Sequence, residues 1–387
     1  MTKPMRILHI YKDYYPVIGG IENHIRQLAE AQAAQGYSVA VLVANTSKKT
    51  EVDTVNGVRV IKTGRQFNVQ SAPLSAALPF TLRRETAGAD IAHVHSPYPP
   101  GEAANLWFGR ARKTILTWHS DIVRQKTLLR FYAPTLRRVI RRADRILPTS
   151  AAYARSSPWL SPHLDKCVAV PLGVDVARFQ PAVMLSSRAA TIRGRILATS
   201  PTSAATTVLL TVGRLRYYKG IDDLIRAMPQ LPDAISVVAG TGPMIVPWKT
   251  LAQELGVSER VLFVGDVSDD DLPAFYQAAD IYVLPANVRA EAFGVAIIEA
   301  MACGLPIVCT DIGTATSWIN QHNSTGYVVP PQDPPALAAS ILNLQNSPFL
   351  RRQMGMASRQ RVMEEFTIDK MIQRVDDVYH QALTGAG

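Results

Sequence analysis

Cysteine is almost missing from this chain. Cys167, Cys303 and Cys309 are the three present among 387 residues. Their spacing matches no metal-ligand pattern and suggests no disulfide framework, so a reducing cytoplasm is the expected setting. Long apolar runs are also lacking. A charged residue or a histidine interrupts every strong run before it could span a bilayer. The opening Met1-Thr-Lys-Pro-Met-Arg-Ile-Leu-His-Ile enters a strand-like run with no signal-peptide core. Acids are short, 31 against 41 bases, which leaves a net charge of +10. That surplus implies an anionic partner. It is concentrated between Arg124 and Arg145, where eight basic residues stand with one acid, Asp144.

What the chain does have is length and apolar content. At 387 residues and 47% hydrophobic it is too long for one compact core and suits two domains. Short apolar runs, such as Arg6–Tyr11, Ser38–Ala44, Val58–Thr63, Asp90–His95 and Lys113–Trp118, read as buried strands. Helical segments alternate with them, which predicts an α/β fold with parallel sheets. The pattern restarts at Thr207–Gly213. Residues 181–206 between the two halves are rich in Ala, Ser, Thr and Pro and read as an irregular linker with room for one helical turn.

The densest motif is Arg289-Ala-Glu291-Ala-Phe293-Gly294-Val295-Ala-Ile-Ile-Glu299-Ala-Met-Ala-Cys303-Gly304-Leu-Pro306. Glu291 falls in a loop after the strand Ile281–Pro285. Glu299 falls inside an Ala-rich helix that Gly304 ends. Phe293, Gly294 and Val295 open that helix with backbone N–H groups, a place for a phosphate. Carboxylates close to a phosphate site suit a ligand that is both phosphorylated and rich in hydroxyls.

A second motif is Gly213-Arg214-Leu-Arg216-Tyr-Tyr-Lys219-Gly220 after the strand Thr207–Gly213. Arg214 and Lys219 flank one loop, and two cations aimed at one pyrophosphate would neutralise it. Earlier in the chain, Gly19-Gly20 follows the first strand, where open α/β sheets bind ligands. The pair is read as letting the backbone turn tightly beside a ligand, with a simple tight turn as the competing reading. His93 and His95 alternate on one strand and so share a face. His95 is read as acceptor-binding or as a hydrogen-bonded core histidine. Asp121 is read as capping the helix that follows it. The Arg124–Arg145 stretch interleaves arginines with Leu128, Phe131, Leu136 and Ile140. It reads as a basic amphipathic helix interrupted by Pro134, for an anionic membrane surface or for solvent. It contains no recognised nucleic-acid-binding motif.

Glu-x7-Glu followed by Ala-Met-Ala-Cys-Gly-Leu-Pro resembles the signature of the retaining glycosyltransferases of family 4, which have the GT-B fold. That resemblance implies two Rossmann-like domains with parallel sheets facing a central cleft. Residues 1–180 would bind the acceptor and residues 207–365 the nucleotide sugar. Residues 366–387, which resemble the family's terminal helix, would cross back to the first domain. It also implies roles. Glu299 would hold the ribose hydroxyls and Glu291 the sugar hydroxyls. Arg214 and Lys219 have the spacing of the family's diphosphate ligands. Val264 and Gly265 would meet the base, and Gly19 and Gly20 would line the cleft. His119 matches the catalytic-loop histidine that contacts the donor sugar. No metal or cofactor is implied. Asp269–Asp271 formally makes an Asp-x-Asp but reads as a helix N-terminus.

Trp118–Lys126 further resembles bacterial polysaccharide-assembly members that use GDP-mannose or GDP-rhamnose. The expected reaction moves a hexose from a nucleotide diphosphate sugar to a glycan or lipid-linked acceptor. A UDP-sugar or a soluble acceptor is an alternative. A nucleotide-sugar epimerase on a related fold, or a basic surface-binding protein, is a more distant one.

Overall fold

A computed structural model describes residues 4–17, 19–69, 72–122, 126–181, 186–199 and 206–385. The chain divides into two compact units, Met1–Leu172 with Asp369–Gly387, and Gly173–Ile368.

In the first unit, β1 (Arg6–Ile10), β2 (Ser38–Ala44), β3 (Glu51–Val55) and β4 (Val58–Thr63) are followed by a small hairpin, β5 (Phe67–Val69) with β6 (Ala72–Leu74). The strands β7 (Ile91–Ser96), β8 (Lys113–Trp118) and β9 (Arg145–Pro148) complete it. The main sheet has the order β3-β4-β2-β1-β7-β8-β9 and is parallel apart from the β3–β4 pair. The chain order reverses between β1 and β7. Ligands of open α/β sheets gather at such a point, outside the strand C-termini. Register sets His9 beside His93 and His95 beside Thr117. The basic helix Lys126–Arg142 runs through Pro134 rather than stopping there. Proline removes one backbone donor, but Leu136, Val139 and Ile140 are buried and hold the helix in place. Arg124 lies outside the described residues.

The second unit carries β10 (Thr207–Val212), β11 (Ala234–Ala239), β12 (Val261–Gly265), β13 (Ile281–Leu284), β14 (Ile307–Thr310) and β15 (Gly326–Val329). Their order is β12-β11-β10-β13-β14-β15, all parallel, with the reversal between β10 and β13. Every residue of β11 and β13 is buried, as continuous apolar strands covered on both faces must be.

Two sequence readings need correction. The 181–206 stretch holds more than the one helical turn expected in a linker, because Ser187–Ala198 is a helix of 12 residues. Ser186 caps it by accepting from the Ala189 N–H at 3.2 Å, and Ala189 and Ile196 are buried. Arg193 fastens it to Ala278 O at 2.7 Å and Asp280 Oδ2 at 3.0 Å. The first unit ends at Leu172, before the expected boundary at 180.

Candidate functional site

Each unit gathers polar side chains where its strand order reverses. In the second unit, β10 ends at Val212, and the loop that follows carries Gly213 and Arg214 to Lys219. Gly220 lies at φ +62°, in the left-handed region. A Cβ there would sit 1.9 Å from Pro285 O, so the loop after β10 packs directly on the end of β13. This packing brings the two motifs together. Lys219 Nζ lies 2.7 Å from Glu291 Oε2, and both side chains are about nine-tenths buried. Burial disfavours the Lys219 charge, but Glu291 outweighs it and raises the ammonium pKa. Arg214 is exposed on the same loop.

The helix Val295–Ala302 begins one residue after Gly294, which adopts φ +88°. Its opening N–H groups have no partner within the helix. Phe293 is buried and its ring meets Phe366 edge-on, so its backbone alone is placed to serve a ligand. Glu299 accepts from the Tyr276 hydroxyl at 2.7 Å. Burial pushes the Glu299 carboxyl upward, and this hydrogen bond opposes it. At the end of β12, Val264 is exposed and Gly265 accepts from the Gly240 N–H at 2.7 Å. Glu291 and Lys219 thus converge at the ends of β10 and β13, with Arg214 on the loop that carries Lys219. Val264 and Gly265 lie two strands away, at the sheet edge.

In the first unit, His119 follows β8 and His95 lies within β7. They join His9, His24 and His93 in a buried cluster that holds five of the chain's eight histidines. His9 Nδ1 lies 3.1 Å from His95 Nε2, and His95 Nδ1 lies 3.1 Å from His119 Nε2. His9 Nε2 donates to Gln32 Oε1 at 2.9 Å. Thr117 Oγ1 and the Tyr379 hydroxyl bracket His93 at 2.5 Å each. Burial depresses every ring: His9 titrates at about 4, His24 at about 3, and the other three well below their ordinary value. The cluster is therefore neutral at physiological pH.

Gly19 and Gly20 open the helix Gly20–Ala34. Gly19 is extended, a conformation any residue adopts, so backbone freedom does not explain it. A Cβ on Gly19 would sit 2.2 Å from the Glu22 carboxylate, which folds over it. The turn that would connect Asp121 to the helix after it lies outside the described residues. Asp121 accepts from Trp118 Nε1 at 3.0 Å and from Ser157 Oγ at 2.7 Å, bracing the loop of His119. The sequence reading missed His9, His24, Gln32 and Tyr276. A histidine inside each of two apolar strands was the available signal for the first.

Two largely parallel sheets, each with polar groups at its reversal point, are the architecture of a glycosyltransferase of GT-B fold. The chain belongs to the family-4 glycosyltransferases. Residues 18–178 match "Glycosyltransferase Family 4" and residues 197–361 match "Glycosyl transferases group 1". The chain is 33% identical to O-antigen chain mannosyltransferase C of Escherichia coli, across 97% of this chain and 98% of that one. It is 32% identical to the D-rhamnosyltransferase WbpZ of Pseudomonas aeruginosa, across 94% and 92%. The fold matches the structure of sucrose-phosphate synthase from Thermosynechococcus elongatus with a TM-score of 0.79 at 24% identity, over 99% of this chain and all of that one.

Proposed function

We propose that the chain transfers mannose or rhamnose from a GDP-sugar to a hydroxyl of a lipid-linked or growing glycan in cell-surface polysaccharide synthesis, with retention of configuration. The observation that carries this reading is the buried Lys219–Glu291 pair beside the Gly294 helix start. A diphosphate entering there exchanges one partner of Lys219 for another and releases Glu291 to take sugar hydroxyls. Lys219, Arg214 and the N–H groups of Phe293, Gly294 and Val295 take up the charge of the departing diphosphate, a task that needs no metal. Glu299, held by Tyr276, takes the ribose hydroxyls, and Val264 and Gly265 meet the base. The family resemblance assigns His119 and Gly20 to the donor and Gly19 to the acceptor; His95, which it would also give to the acceptor, is fully buried with both ring nitrogens engaged by His9 and His119 and is a core histidine.

Retention follows if the leaving phosphate oxygen accepts the acceptor's proton as the new bond forms on the same face. The names of the two relatives support mannose or rhamnose. The resemblance of Trp118–Lys126 to users of GDP-mannose supports guanine. A peripheral place on the inner membrane face rests on the Lys126–Arg142 helix, where Arg130, Arg137, Arg138, Arg141 and Arg142 are exposed and Phe131 is 80% exposed. No helix among the described residues is long and apolar enough to cross a membrane.

The test is incubation with GDP-α-mannose and a lipid-linked glycan acceptor in the presence of EDTA, with NMR of the product. An α-linked product is expected. A β-linkage would contradict retention, and absence of transfer would contradict the donor.

A further inference from the structure

The histidine cluster has a direction. An ionised Asp376 carboxylate only accepts hydrogen bonds, so Gln32 must turn its amide nitrogen toward it, donating to Oδ1 at 3.5 Å. Gln32 Oε1 then faces His9 and accepts from its Nε2–H. A neutral imidazole carries one proton, so His9 Nδ1 is an acceptor and the 3.1 Å contact is a donation from His95 Nε2. The same step repeats. His95 Nδ1 accepts from His119 Nε2–H at 3.1 Å, which leaves His119 Nδ1 unprotonated.

His119 Nδ1 is buried and has no hydrogen-bond partner among the described residues. Neither does either ring nitrogen of His24, whose ring stands edge-on to His119 with centroids 5.1 Å apart. Buried polar atoms without partners are rare, and their cost falls when a ligand supplies the partner. An acceptor on His119 beside a donor on His24 is satisfied by one group that donates and accepts at once, a hydroxyl.

We infer that Gln32, His9 and His95 are positioning residues for His119: they fix its proton on Nε2 and hold Nδ1 as the acceptor for a hydroxyl of the bound sugar. The downward-shifted pKa values of the rings keep the relay neutral. The identity of the ligand rests on the proposed function; the tautomer does not.

The full chain labelled with 15N-histidine, at pH 7.5, reports each ring nitrogen directly. His9, His95 and His119 are expected as Nε2–H tautomers with unprotonated Nδ1. An Nδ1–H tautomer or a cation at His119 would overturn the relay. So would uptake of one zinc ion per chain through these rings, because both nitrogens of His95 would no longer be shared as hydrogen bonds. Gln32→Met removes the acceptor and should turn the three rings into tautomer mixtures, with kcat on GDP-mannose falling at least about tenfold and donor KM little changed. The exchange Gln32→Glu with Asp376→Asn keeps both hydrogen bonds and the charge and should restore the tautomer and kcat. A Gln32→Met chain with wild-type spectra and kcat would overturn the inference. If the wild-type chain transfers nothing from GDP-mannose, the donor assignment fails while the spectra still decide the relay.

Discussion

Lys219 and Glu291 show why a substitution in this site must be chosen with care. Glu291→Ala would leave a buried ammonium without a counter-charge, and such a break costs about 3–5 kcal/mol. Lost activity in that variant would then mix unfolding with chemistry. Glu291→Gln keeps an acceptor beside Lys219 and removes only the charge. Its melting should stay close to wild type while kcat falls about a hundredfold or more, read by donor turnover and calorimetry together. Near-normal turnover would remove Glu291 from the mechanism. Both residues stood out in the sequence, because each sits in a dense motif at a strand end. Their contact was not legible, since it depends on Gly220 letting the loop after β10 press on Pro285. The histidines were less legible still. His9 reads as one polar residue in an apolar strand until the register sets it beside His93.

At the scale of elements, the alternation of short apolar runs and helices carried the parallel sheets, because buried strands and amphipathic helices leave different periods in sequence. Composition misled where small residues dominate. Ser187–Ala198 looked like linker, yet Ser186 supplies a cap and Arg193 supplies anchors that only the folded chain reveals. Pro134 looked like a break, but burial of Leu136, Val139 and Ile140 outweighs its one missing donor. The same helix leaves its arginines in solvent with Phe131. If it lies on an anionic surface, each arginine contributes about 1 kcal/mol. Arg137→Glu with Arg141→Glu should therefore weaken sedimentation with phosphatidylglycerol vesicles by at least about tenfold, and raised salt should do the same. Unchanged vesicle binding would make the helix a solvated face.

At the scale of the whole molecule, the two units should respond differently to acid. The five clustered histidines all lie in the first unit. Their folded pKa values are depressed, so between about pH 4 and 6.5 the unfolded chain binds more protons than the folded one. Stability is fully present above 6.5 and is lost as pH falls, by up to about 1.4 kcal/mol per histidine per pH unit. Asp376, raised to about 6 by burial, offsets part of this loss. Scanning calorimetry from pH 7.5 to 4.5 should show the first unit's transition moving down well ahead of the second's. A common, pH-independent shift would contradict a neutral cluster.

The proposed transfer depends above all on the second unit holding a guanosine diphosphate through its own cations. Titration of the full chain with GDP, UDP and ADP in EDTA, followed by calorimetry, tests this directly. GDP alone should bind tightly without magnesium, and Lys219→Ala should abolish that binding. Binding of UDP in preference to GDP, or of no nucleotide until magnesium is added, would contradict it.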